Sequence, residues 1–380
     1  MGNKIVNIKT DVRNTNIDSM KGILIILVIL GHTYNKYCYG FISLFHVGLF
    51  FVLSGYCFNQ LYTDSIGSLW SLFKKKIKSL WLPYVVYNFI FLLLQNFWLK
   101  IGFLTSDKSY FEYEPFLNDG FSLPIDCVGA LKVFIKSLFF INSRPFVGGL
   151  WFLGGLFYVT FLYAIIQFFM RKFRLERFHI VLSVLFLVFG WLIVKMKLVE
   201  GIPLMKHLSI ILISEILFCL GTYAREYIVL SKLKKSVYWA GLVFFFLILY
   251  VLSIFGTISI AGVNIKNPLF YMVSILSGGG GIVCLVKILE YSNATKVIRF
   301  FSYVGQKTIP ILALHPICFK IVTLMQWKIY HGERIILAMY PVWKNTFGWC
   351  LAYLFVGLFV PLVISFFLSK NKFCSAVLKC

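Results

Sequence analysis

Charged residues are scarce in this 380-residue chain. They make up 13% of positions, where a soluble domain carries about 25%. Acidic residues are scarcer still, at 14. So few charges cannot cover a globular surface of this size, which excludes an ordinary soluble enzyme, a disordered chain and a fibrous repeat. Paired cysteine motifs are also missing. The nine cysteines are scattered, none forms a CxxC pair, and Cys57, Cys219, Cys284 and Cys350 sit inside apolar runs. Neither a disulfide framework nor a zinc site follows from such spacing. Residues 1–16 are polar and basic and lack a signal peptide with a cleavage site. No internal repeat or low-complexity tract is evident. The run Gly278-Gly279-Gly280-Gly281 lacks the Lys-Ser/Thr of a phosphate loop, and reads as close helix packing or a local break.

What is present is apolar sequence. Hydrophobic residues reach 60%, with a mean hydropathy of +0.85. A polytopic membrane protein follows, each span using about 20 apolar residues. Ten apolar runs are found, at 20–34, 41–62, 80–104, 148–170, 180–196, 208–223, 237–255, 268–289, 308–325 and 347–368. The net charge of +23 would point to nucleic acid in a soluble protein. In a multi-span protein it reflects Lys and Arg gathered in cytoplasmic loops, so the expected partner is the lipid bilayer and no nucleic acid.

An even number of spans puts both termini on one side. The segments on that side carry 23 Lys/Arg against 14 on the other. They include Lys74-Lys75-Lys76-Ile77-Lys78 in the loop 63–79, which makes that side cytoplasmic. The loop 105–147, with Asp107, Glu112, Glu114, Asp119 and Asp126, then lies outside and is too long for a passive connector. The expected fold is an all-α integral membrane protein with about ten transmembrane helices and both termini cytoplasmic. Residues 1–370 form one transmembrane domain and 371–380 a cytoplasmic tail.

Ionisable groups within spans are costly and mark function by default. Lys21 and His32 are eleven residues apart in the first run. On a helix that is about 20° from a common face and about 16 Å along the axis. Asp18 falls about 40° off the same face. Two readings stand. Asp18 and Lys21 are interfacial anchors and His32 an interhelical hydrogen bonder, or the three form a functional face. His46, His315 beside Pro316, and Glu215 are further intraspan candidates, Glu215 as a partner for a histidine or lysine. His179, His207 and His331 fall at span ends or in loops and receive no role. No two intraspan histidines have the i,i+4 spacing of a helical metal pair, so no metal is expected. Acid/base chemistry suits imidazole better, because it titrates near neutral pH.

With these residues in view, the sequence from about 16 to 368 resembles the membrane-bound acyltransferase 3 family. Asp18, Lys21, Gly22 and His32 match its opening Asp-x-x-Arg/Lys-Gly and Arg/Lys-x10-His pattern. His46, Phe50, Phe51, Ser54, Gly55 and Tyr56 match its second-span pattern. Pro83-Tyr84 follows a basic stretch, Leu150-Trp151-Phe152-Leu153 matches a Leu-Trp-Phe-Leu element, and Gly305, Thr308 and His315 match a late Gly-x-x-Ser/Thr…His element. The family's Arg-x-x-Arg stands here as Lys76-Ile77-Lys78-Ser79, without the second Arg.

The resemblance implies a multi-pass enzyme of the cell (inner, cytoplasmic) membrane that moves an acyl group, most often acetyl, from acyl-CoA to a hydroxyl of an envelope polysaccharide or lipid-linked glycan. His32 is then the expected base. Lys21 supports it and, with Lys74, Lys75, Lys76 and Lys78, suits the phosphates of acetyl-CoA. Asp18 completes the charged end. His46 and His315 are oxyanion donors or orient His32. Tyr110, Tyr113, Trp327 and Trp343 are read as sugar-stacking or interfacial aromatics. The rival readings are a transporter or flippase for an envelope glycan, which favours an inverted repeat that this sequence lacks, and an assembly subunit of an envelope synthase, which leaves the Lys21–His32 face unexplained.

Overall fold

A computed structural model describes residues 14–113, 119–141, 145–200, 202–227 and 233–380. Glu114 and the tail before Asn14, to which the sequence reading assigned charge, lie outside the described residues. The chain is all-helical, 77% helix, with no strand among the described residues. In order the helices are α1 Thr15–Gly31, α2 Tyr39–Ser43, α3 His46–Tyr56, α4 Ile66–Lys76, α5 Leu82–Leu93, α6 Gln95–Ile101, α7 Tyr110–Tyr113, α8 Cys127–Leu138, α9 Trp151–Lys172, α10 His179–Lys195, α11 Pro203–Tyr227, α12 Lys235–Phe255, α13 Pro268–Tyr291, α14 Thr295–Gln306, α15 Thr308–Tyr330, α16 Phe347–Ser369 and α17 Lys372–Leu378.

All ten apolar runs fall on these helices. Among the described residues, eight helices, or nine with one bent pair, are long and apolar enough to cross a membrane. The bent pair is 66–93 with α6, at 45°. At 17 residues, α1 is shorter than these spans, yet it is the most enclosed helix. Leu24, Ile25 and Ile29 are fully buried, and α3, α13, α14, α15 and α16 all pack on it. By contrast α10, α12 and α16 expose Val184, Phe244 and Phe355. An apolar exposed face is the surface lipid solvates, and their backbone polar groups are satisfied within each helix.

Two segments read as loops are helical. The basic stretch 74–78 continues from α4, capped by the Ser65 hydroxyl on Ser68 N–H, through a π-helical turn Ile77–Trp81 into α5. The connector 287–307 contains α14. Each was obscured because its lysines break the apolar run while leaving an apolar side for the bundle.

Small residues set the closest crossings. A Cβ on Gly22 would sit 1.9 Å from the Phe301 carbonyl oxygen, and one on Gly305 1.9 Å from that of Asp18. Gly55 and Gly221 do the same between α3 and α11, with 2.0 Å to Phe218 and Val52 oxygens. Without apolar drive between helices in lipid, such backbone approach is what holds them together. The four-glycine run stays within an unbroken α13, and Gly278 and Gly280 make room for the rings of Phe45 and Phe245. At the opposite end from Lys21, the fully buried Lys320 donates to the Leu337 and Met339 carbonyls at 2.8 and 2.6 Å, tying the turn Arg334–Ala338 to α15.

Candidate active site

His32 caps the C-terminus of α1, where φ −72° and ψ −4° close the last turn. The sequence reading placed it inside a longer span. His315 lies in α15 one residue before Pro316, and His46 opens α3. The fold brings all three together. His32 Nδ1 is 2.8 Å from His315 Nε2 and the two rings stack at 4.9 Å. His46 and His32 line one small cavity of about 50 Å³ with Trp151, Phe152 and Thr308.

Backbone partners fix the protons. His315 Nδ1 is 3.0 Å from the Ile311 carbonyl oxygen, which can only accept, so Nδ1–H donates. The neutral ring then has a bare Nε2, which accepts from His32 Nδ1–H. That leaves the lone pair of neutral His32 on Nε2, on the outer side of the pair. His46 Nδ1 likewise donates to the Ile42 carbonyl at 2.7 Å. Neither His46 nor His315 keeps a spare N–H in its neutral form, so the oxyanion-donor role expected of them does not fit this hydrogen bonding.

A second cavity of about 530 Å³ adjoins the first, sharing Trp151 as a wall. Phe140, Tyr158, Lys206 and His207 line it. Gly148, Gly154 and Gly155 leave it open. Sequence reasoning gave His207 no role and missed Phe140 and Tyr158. The aromatics it singled out sit elsewhere. Tyr110 is fully buried in a small separate cluster with Ile336 and Ala338, beside Trp343. Tyr113 donates to Glu333 at 2.8 Å. Trp327 and Trp343 both border Gly332 in the same region.

At the other end of α1, Lys21 Nζ is 3.9 Å from Cys57 Sγ. Lys76 interacts electrostatically with Lys21 and Lys75, and Lys75 donates to the Tyr62 hydroxyl at 3.1 Å. Lys21, Lys75 and Lys76 therefore form one basic end. Lys74 instead lies over the Trp70 ring, and Lys78 is exposed. Asp18 is buried at the α1–α14 crossing. The helix rise puts this end about 16 Å from His32.

Most motif residues divide by task. Gly22, Gly55 and Gly305 are helix crossings. Leu150 and Leu153 are core. Trp151, Phe152 and Thr308 wall the histidine cavity. Glu215 finds a histidine partner, His179, at 3.0 Å, a residue that sequence reasoning set aside because it borders a loop.

Searches of curated proteins and of solved structures found no match. A family model described as an acyltransferase domain matches residues 14–369. That segment contains the three clustered histidines, the basic end and both cavities. The chain therefore belongs to the acyltransferase 3 family.

Proposed function

We propose that this multi-pass membrane acyltransferase transfers an acyl group, acetyl in the simplest case, from acyl-CoA to a hydroxyl of an envelope polysaccharide or lipid-linked glycan. The observation that carries the reading is the His32–His315 pair, set between a basic end and an open, aromatic-lined cavity. Ten spans with both termini cytoplasmic suit it, because Lys21, Lys75 and Lys76 then face the compartment that holds acyl-CoA. Their charges suit its phosphates.

The chemistry needs a base for the hydroxyl and a donor for the developing oxyanion. His32 Nε2 takes the hydroxyl proton while the hydroxyl oxygen attacks the thioester carbonyl. His315 Nε2 holds His32 Nδ1–H, so the ring keeps its orientation as it becomes imidazolium. Collapse of the tetrahedral intermediate breaks the C–S bond, and the proton on His32 goes to the departing thiolate. In the small cavity, the histidine N–H groups are bonded to His315 and Ile42, and the Thr308 hydroxyl donates to the Gly305 carbonyl at 2.6 Å. This leaves the Trp151 indole N–H as the side-chain donor for the oxyanion. The acceptor enters through the larger cavity, which Tyr158 and Trp151 line as aromatics for a sugar to stack on.

The test is transfer of label from acetyl-CoA to glycan in membranes with and without the protein, with mass spectrometry of the product. Acylated glycan that depends on the protein and on His32 is the expected result. Glycan moved across the membrane without acylation would favour a flippase instead.

A further inference from the structure

Away from the histidine pair, a second set of buried polar side chains lies where α9, α10 and α11 meet. His179 opens α10. Glu215 and Cys219 stand four residues apart on α11, so they share one helix face. All three are at most 1% exposed. Their imidazole nitrogen, carboxylate oxygen and sulfur atoms lie within 4.8 Å of one another. Glu215 Oε1 is 3.0 Å from His179 Nε2, but among the described residues the buried Glu215 Oε2 has no hydrogen-bond partner. An orphaned carboxylate oxygen in the interior is costly.

The surroundings prepare His179 Nε2 as a ligand atom. His179 Nδ1–H donates to Gln167 Oε1 at 2.6 Å, and Tyr163 stacks on the ring at 4.6 Å. A second hydrogen bond of this kind is how proteins fix the tautomer and aim of a metal-binding imidazole.

We propose that His179 Nε2, the Glu215 carboxylate and the Cys219 sulfur bind one divalent cation of the zinc class. A nitrogen, oxygen and sulfur set suits zinc or cobalt, whereas magnesium and calcium take oxygen donors. Bonds of about 2.0–2.3 Å place tetrahedral donors about 3.3–3.8 Å apart. From 4.8 Å or less, the set closes by about 1–1.5 Å at most, a change within side-chain rotation.

The charge balances. Without an ion, one proton lies between Glu215 Oε1 and His179 Nε2, because Nδ1–H is committed to Gln167. The Cys219 thiol holds another. A divalent cation replaces both, leaves the buried site's net charge unchanged and releases two protons. It also gives Glu215 Oε2 a partner and fastens the start of α10 to α11. The pair Glu215-x3-Cys219 was a sequence signal, hidden because the third donor is at a helix start some 36 residues earlier.

Cobalt(II) is the probe, added to full-length, detergent-solubilised protein after chelator treatment. The expected result is one ion per chain, a thiolate-to-cobalt charge-transfer band in the near ultraviolet and two protons released per ion. Cys219→Ser, nearly isosteric, removes the band, while Cys57→Ser keeps it. Gln167→Ala weakens binding by about tenfold or more. Wild-type protein that binds no cobalt under these conditions overturns the site, whatever the variants do. So does a band that survives Cys219→Ser. Acyl transfer is a separate readout, so failure of this site leaves the catalytic reading standing.

Discussion

The 2.8 Å contact between His32 Nδ1 and His315 Nε2 runs in one direction, because the Ile311 carbonyl consumes the other nitrogen of His315. In the proposed mechanism His32 is the base, held in a fixed orientation, and His315 is a positioning residue. Removing the base should cost roughly 10²–10⁴-fold in kcat, so His32→Ala and His32→Gln should both be nearly inactive. His315→Ala should lower kcat with little change in KM for the acyl donor. His315→Gln, whose amide oxygen can accept from His32 Nδ1–H, should recover part of that loss. Steady-state kinetics on the four variants checks the scheme. Equal activity of His315→Gln and His315→Ala would remove the positioning role.

The crossing of Gly22 and Gly305 supports that geometry from a distance. A methyl group at either position meets backbone oxygen at 1.9 Å, which cannot rotate away. Overpacking of this kind costs about 1–3 kcal/mol. Gly22→Ala and Gly305→Ala should each lower the thermal midpoint of the purified protein. Gly40→Ala, with open space around its Cβ position, should not.

The spans were legible in the sequence because each is a long apolar run, and His32, His46 and His315 stood out because imidazole is rare in such runs. Their meeting was not legible. It depends on how α1, α3 and α15 cross, and that is set by glycine contacts far along the chain. The division among the five lysine candidates was hidden for a related reason. Lys76 senses Lys21, while Lys75 reaches Tyr62 and Lys74 lies over Trp70, a division set by the helical phase of a stretch that reads as a charged loop. The larger cavity left no periodic trace, since its walls come from residues far apart in the sequence, from Phe140 through α9 and α11 to Ala261.

The membrane orientation is testable with native cysteines. Cys57 lies beside Lys21, and Cys127 starts α8 in the acidic 105–147 region; both are exposed. The 23-to-14 split of basic residues predicts Cys57 inside and Cys127 outside. A membrane-impermeant maleimide on intact cells should label Cys127, with loss of that label in Cys127→Ser. Label at Cys57 should require permeabilised cells. The reverse pattern would invert the topology and take acyl-CoA away from the basic end.

The basic end gives the last prediction. Lys21 and Lys76 interact, so a donor phosphate placed between them would gain two charge-assisted contacts. Losing one such contact at a half-exposed site is worth about 1.4 kcal/mol, or about tenfold in KM for acyl-CoA. Lys76→Glu and Lys21→Ala should each raise KM by at least that factor, with a smaller effect on kcat. Lys21→Arg should retain most donor use, because the guanidinium also bonds phosphate. Lys74→Glu and Lys78→Glu should change KM much less, as neither joins the Lys21 group. Raising salt should weaken donor binding in the wild type and do little further in Lys76→Glu, since exposed charges are screened over about 10 Å at 0.1 M. A KM that responds equally to all of the lysine positions would mean that the stretch acts by net charge alone, without a defined phosphate site at Lys21 and Lys76.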